Sequence, residues 1–130
     1  MSEGFSVLIV DDHNRTRELL KTLLRAIGYG DVIEAGAGEE ALSRLHDTRC
    51  GLVISDFHMR PMTGLELIQR MRADDELYDT PFILISGDGD LSLVRAAARE
   101  GVDLLIKPFR PEELLAAVRR AVGAPLADPA

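Results

Sequence analysis

The chain has no tryptophan, one cysteine, and only four phenylalanines and two tyrosines among its 130 residues. Each shortage closes a class of function. Cys50 has no partner for an internal disulfide, and it precedes an apolar run. It reads as a small, reduced, half-buried side chain. With so few rings there is little to stack a flavin or a nucleobase on. Basic residues are also short, 15 against 22 acidic, for a formal net charge of −7. Such a chain is repelled by phosphate backbones, which excludes nucleic acid as a direct partner. No apolar run approaches the ~20 residues of a membrane helix. The stretch Met1 to Phe5 lacks the basic and apolar parts of a signal peptide. The expectation is a cytoplasmic protein with no membrane partner. Neither GxGxxG nor GxxxxGK[ST] occurs, so dinucleotide and P-loop nucleotide binding have no support. His13, His46 and His58 lack metal-ligand spacing to one another or to Cys50. His46, late in its helix, is expected to complement the helix dipole.

What is present is alternation. Phe5 to Val10 (FSVLIV) is short, apolar and rich in β-branched residues, as a strand buried on both faces would be. Thr16, Leu19, Leu20, Leu23, Leu24 and Ile27 then recur at helical spacing, and Gly28 and Gly30 close the segment. Asp31 to Ala35 reads as an edge strand, followed by a helix through Gly38, Ala41, Leu42 and Leu45. A strand over 51–55 delivers Asp56 to its tip. Thr63 then caps a helix turning Leu65, Ile68 and Met71 inward. Phe82 to Ile85 forms the fourth strand, and Leu91, Val94, Ala97 and Ala98 the next helix. Val102 to Ile106 is the last strand, and Pro111 starts a helix lined by Leu114, Leu115, Val118 and Val122.

Five strand–helix alternations in one domain predict an α/β fold. It is a single doubly wound five-stranded parallel sheet in the flavodoxin-like order 2-1-3-4-5, with helices on both faces. Residues 1–123 form the domain, and the tail 124–130 is expected to fray.

In such a sheet every strand C-terminus lies on one edge, where ligands bind. Four strands end there in polar residues: Asp11 and Asp12, Asp56, Ser86, and Lys107. The edge strand ends in Ala35 and Gly36 and is expected to contribute nothing. Three carboxylates in one cleft repel one another unless a cation is present. Oxygen ligands with room for water suit Mg2+. Lys107 and the Ser86 hydroxyl can meet phosphoryl oxygens, and an aspartate carboxylate can be the nucleophile of an acyl phosphate. Asp56, central among these groups, is placed for that role.

The sequence resembles the response-regulator receiver domain family, the CheY-like fold, along nearly its whole length. The matching stretches are LIVDD (8–12), VISD (53–56), MTG (62–64), ILIS (83–86) and IKPF (106–109). The resemblance implies phosphorylation of Asp56 by a histidine kinase or a histidine phosphotransfer protein. It implies Mg2+ held by Asp12, Asp56 and the backbone carbonyl of His58, with Asp11 assisting through water. Ser86 and Lys107 would contact the phosphoryl group, and the Lys107–Pro108 bond is a candidate cis peptide. Apart from its own phosphotransfer and autodephosphorylation, such a domain is not an enzyme. It signals by protein contact, here expected on the face built from the fourth helix, fifth strand and fifth helix, where Arg95, Arg99, Arg119 and Arg120 lie.

Three positions depart from the family pattern. Pro61 stands five residues after Asp56 instead of four, behind Arg60. Leu104 holds the place where many members carry a switch aromatic. His58 and Asp88 occupy the positions two beyond Asp56 and Ser86, which flank the mouth of the site and modulate phosphoryl lifetime. They are candidates to pair across it. Two rival classes share parts of this pattern: a phosphatase working through an aspartyl phosphate, and a flavodoxin-like binding module.

Overall fold

The computed structural model describes residues 5–123, so the expected tail at 124–130 lies outside the described residues. Ten elements alternate without exception: β1 (Val7–Val10), α1 (Asn14–Ala26), β2 (Val32–Ala35), α2 (Gly38–Asp47), β3 (Leu52–Asp56), α3 (Gly64–Arg72), β4 (Phe82–Ser86), α4 (Leu91–Arg99), β5 (Asp103–Ile106) and α5 (Pro111–Val122). The strands are parallel and run in the order β2-β1-β3-β4-β5, as the alternation predicts. β1, β3 and β4 are buried at every residue, which is why they read as unbroken apolar runs. β3 begins and ends one residue later than the sequence suggested. Asp56 is its last paired residue, opposite Ile85 of β4.

The sheet separates two apolar layers. Val7 and Ile9 of β1 face α1 and α5, joining Leu20, Leu24, Leu114, Ala117 and Val118. Leu8 and Val10 face the other way, into a layer with Leu42, Leu67, Ile68, Met71, Leu93 and Ala97. Strand alternation thus feeds two layers from one chain of apolar residues. The inner stripes of two helices differ from those read in the sequence. Leu19 on α1 is exposed, and burial falls on Leu20 and Leu24. On α4, Leu91 and Val94 are exposed while Leu93 and Ala97 are buried. Both helices carry more apolar residues than one face can cover, so periodicity alone admits neighbouring stripes.

α3 is fixed at its start by a reciprocal capping box. The Thr63 hydroxyl accepts from the Glu66 N–H at 3.1 Å, and the Glu66 carboxylate accepts from the Thr63 N–H at 2.9 Å. His46, at the end of α2, does more than sit at a helix terminus. Its Nε2 lies 2.8 Å from Asp74 Oδ2, across to the loop after α3, and 3.8 Å from Glu76. The hydrogen bond to Asp74 raises the His46 pKa above 6.5. A group that binds its proton more tightly when folded adds stability fully below its unfolded pKa, and loses it as pH rises through the folded one. Between mildly acidic and mildly alkaline pH, the parent should therefore lose more stability in urea titrations than His46→Gln. Parallel pH profiles for the two proteins would remove this pair from the account.

Candidate functional site

The C-terminal tips of β1, β3, β4 and β5 converge on one edge of the sheet and carry the residues singled out above. Asp11 follows β1 directly. Its carboxylate is buried, and Oδ1 accepts the His13 N–H at 2.8 Å. Asp12, next along, is exposed to solvent. Asp56 is 5% exposed at the end of β3. The Lys107 ammonium stands 3.2 Å from Asp56 Oδ1, outside hydrogen-bond alignment, so that buried oxygen has no hydrogen-bond donor. Burial pushes the Asp56 pKa above 3.8, Lys107 pulls it back, and the charge of Asp11 raises it further.

Ser86 ends β4 fully buried. Its hydroxyl donates to the Asp88 carbonyl and accepts from the Asp88 N–H, both at 3.0 Å. The hydroxyl thereby holds the loop between β4 and α4. The Lys107 N–H donates to the Ser86 carbonyl at 2.8 Å, tying the tips of β4 and β5 together. Lys107–Pro108 is cis, and so is Arg60–Pro61. His58 packs edge-on against Phe57, with ring centroids 4.8 Å apart. It makes no ion pair or hydrogen bond with Asp88 among the described residues, because Asp88 turns into its own loop to accept the Asp90 N–H at 3.2 Å. A cavity of about 390 Å³ beside the cleft is lined by Asp12, His58, Met59, Arg60, Pro61 and Thr63. Leu104 is half-buried against the layer that includes Leu93 and Ala97.

Three contributions were not legible from the motifs. The edge strand does take part. Glu34 of β2 accepts from Arg17 Nε at 2.9 Å and from Lys21 at 2.7 Å, and Arg17 also donates to the Asp11 carbonyl. Parallel pairing of Ile9 with Glu34 puts the carboxylate on the α1 side, where Arg17 can bridge it to the acidic turn. Gly64 is the second. Its N–H donates to the Phe57 carbonyl at 3.0 Å, and its Cα lies against the Asp56 carbonyl. The third is His13, whose Nδ1 lies 2.9 Å from Asp12 Oδ1 and 3.2 Å from Asp11 Oδ1. The ligand atoms of Asp11, Asp12 and His13 all lie within 4.8 Å of one another, and Asp56 stands outside that trio, turned toward Lys107.

The donors fit a hard divalent cation. Two adjacent carboxylates and a buried, hydrogen-bond-deficient carboxylate oxygen supply negative charge in one cleft, and charge of this kind is what a cation would neutralise.

The family model described as "Response regulator receiver domain" matches residues 7–119. A probable chemotaxis protein CheY of Rhizobium etli is 36% identical over 125 residues, 95% of this chain and 97% of that protein. The chemotaxis protein CheY of Pseudomonas aeruginosa is 34% identical over 109 residues, covering 83% and 88%. Among solved structures, a response regulator receiver protein from Pseudomonas putida superposes with TM-score 0.81 at 37% identity, over 89% of this chain and 96% of that one. The chemotaxis protein CheY4 of Vibrio cholerae gives TM-score 0.82 at 31% identity, over 90% and 98%.

Proposed function

The chain belongs to the response regulator receiver domain family, and from that premise we propose that it is a phosphorylation-driven switch whose acceptor is Asp56. The supporting observation is Asp56 Oδ1, a buried carboxylate oxygen without a hydrogen bond, facing one ammonium and close enough to the Asp11 carboxylate to feel its charge. A histidine kinase or histidine phosphotransfer protein is the donor. An Asp56 oxygen attacks the phosphorus of the donor's phosphohistidine, the new O–P bond forms as the P–N bond breaks, and the imidazole leaves with the electron pair and takes a proton. Lys107 and Ser86 meet the charge that arrives. Asp12, Asp56 and the His58 carbonyl would hold Mg2+, with Asp11 behind them through water. The ion would supply charge neutralisation at the phosphoryl oxygens.

The readout follows from where Ser86 now bonds. To reach a phosphoryl oxygen, its hydroxyl must give up the Asp88 contacts, which frees the loop from Gly87 to Asp90. Gly89 of this loop lies beside the Ile106 side chain of β5, so movement of the loop would change the surroundings of Ile106. Leu104 takes the place of the usual aromatic. The loop shift would then redistribute conformations of the α4–β5–α5 face, which offers Arg95, Arg99, Arg119 and Arg120 to a downstream protein. His58 and Asp88 at the mouth would set phosphoryl lifetime. Residues 1–123 act as one receiver domain, in the cytoplasm, with turnover limited to the domain's own phosphotransfer and dephosphorylation. Among the described residues no helix is long and apolar enough to cross a membrane.

The test is incubation with a small acyl phosphate and Mg2+, followed by intact mass and peptide mapping. One phosphoryl adduct on the peptide carrying Asp56, lost when the cation is chelated, is the expected result. An adduct elsewhere, or none with Mg2+ present, would sink this reading.

A further inference from the structure

Arg17 lies in the first turns of α1, and its side chain is only 16% exposed. Its guanidinium directs three donors at three different segments. Nε donates to Glu34 Oε1 of β2 at 2.9 Å, one terminal nitrogen donates to the Asp11 carbonyl after β1, and the other donates to Asn14 Oδ1 at the start of α1. Glu34 is gripped in turn by Lys21 Nζ at 2.7 Å. The Lys21 hydrogen bond first, and that of Arg17 second, hold its pKa below 4.5, so the carboxylate stays charged opposite the guanidinium. Asp11 is thereby fixed at both ends of its backbone. Its N–H donates to the Ala35 carbonyl at 3.1 Å, continuing the pairing of β1 with β2, and its carbonyl accepts from Arg17. A peptide unit is planar, so the bonded carbonyl also sets where the nitrogen and Cα of Asp12 lie. Asp12 is itself exposed and has no packing of its own to aim it.

We propose that Arg17 is the positioning residue of the acidic turn: through the Asp11 carbonyl it aims Asp11 and Asp12 at the cation, and through Glu34 it makes the edge strand part of the site's support. The inference rests on the metal site of the proposed function and deepens it. Charge and geometry here predict opposite signs. As a charge alone, the guanidinium opposes a cation bound by neighbouring carboxylates, so deleting it would tighten Mg2+ binding. As a brace, its deletion frees the turn, and Mg2+ must then order that turn at a cost in affinity. Arg17→Lys separates the two effects. It keeps the charge but replaces a planar fork by one ammonium on a flexible stem, which cannot hold Glu34 and the Asp11 carbonyl in fixed relation.

The experiment measures Mg2+ affinity by calorimetry and follows labelling by a small acyl phosphate across Mg2+ concentrations. Arg17→Met and Arg17→Lys should each weaken Mg2+ binding about tenfold, the loss typical of groups that orient metal ligands from behind. The Mg2+ concentration for half-maximal labelling should rise to match, while the rate at saturating Mg2+ stays within about twofold of the parent. A variant merely short of folded protein would lose labelling equally at every Mg2+ concentration. Glu34→Gln should shift affinity the same way by less, and should add nothing to Arg17→Met, because it acts through the guanidinium. Lys21→Met removes the other partner of Glu34 and should leave Mg2+ affinity within about twofold of the parent. Unchanged or tighter Mg2+ binding in Arg17→Lys, or an equal loss in Lys21→Met, overturns the brace while leaving the Mg2+ site standing. If Arg17→Met does not fold, Arg17→Lys and Glu34→Gln decide the matter. A parent that binds no Mg2+, or binds it unchanged in Asp12→Asn, overturns the metal site and this inference with it.

Discussion

Asp56→Asn should take up no phosphoryl group and, in the absence of metal, should be more stable than the parent. The first half follows from removing the nucleophilic oxygen, and undiminished labelling would end the Asp56 assignment. The second half follows from burial. The folded Asp56 pKa lies above 3.8 because burial disfavours the charge, and the raising effect of Asp11 adds to it. A carboxyl group that holds its proton more tightly when folded contributes most below its unfolded pKa. Stability then falls as pH rises from there through the folded pKa. At neutral pH the full penalty applies, and Lys107 offsets only part of it. Asparagine removes the charge with little change of shape, and Lys107, partly exposed, can return to water. In thermal unfolding with a chelator present, the variant should melt above the parent. Adding Mg2+ should raise the parent and leave the variant unmoved. A variant that melts below the parent in chelator would show that the carboxylate is stabilised by its surroundings, against the reading of a site strained by its own charge.

The second large effect is at a residue with no side chain. In Gly64→Ala the new methyl would lie well inside contact distance of the Asp56 carbonyl oxygen and 2.7 Å from Leu84 Cδ1. A carbonyl in a paired strand cannot swing aside as a side chain does. Either α3 lifts from the sheet or the tip of β3 shifts. Overpacking of this kind costs about 1–3 kcal/mol, and the upper end is expected here because backbone is the obstacle. Displacing the nucleophile by ~1 Å can slow a positioned reaction about 100-fold. Both urea unfolding and phosphorylation rate should therefore suffer. Gly38→Ala is the contrast. Its methyl would meet the Met62 side chain, with Sδ at 2.5 Å and Cβ and Cγ at 3.1 Å, and a side chain can turn aside at less cost than strand backbone. Equal losses in the two variants would refute the backbone explanation.

Much of the architecture was readable because each piece of it is local. Buried strands are apolar along their length up to their polar tips, and the turns between them carry Gly, Pro and Asp, which suit the turn conformations. The alternation that follows from those runs leads to the sheet order, and the order puts Asp11, Asp12, Asp56, Ser86 and Lys107 on one edge. The faces of α1 and α4 were less legible. Leu19, Leu91 and Val94 extend the apolar pattern around the helix, and only the packing of neighbours decides which stripe is covered.

By itself, then, the order of residues determined the parallel sheet and the convergence of the polar strand tips, since strand periodicity and connection handedness leave few other arrangements. Tertiary structure alone decided the contacts between residues distant in sequence. Glu34 reaches the acidic turn through Arg17, His46 pairs with Asp74, Gly64 lies against the Asp56 carbonyl, and Asp56 Oδ1 is left without a hydrogen bond. The reason is physical. Periodicity reports which side of an element a residue occupies, whereas hydrogen bonds and buried charges depend on distances of a few ångströms that exist only after the layers have packed.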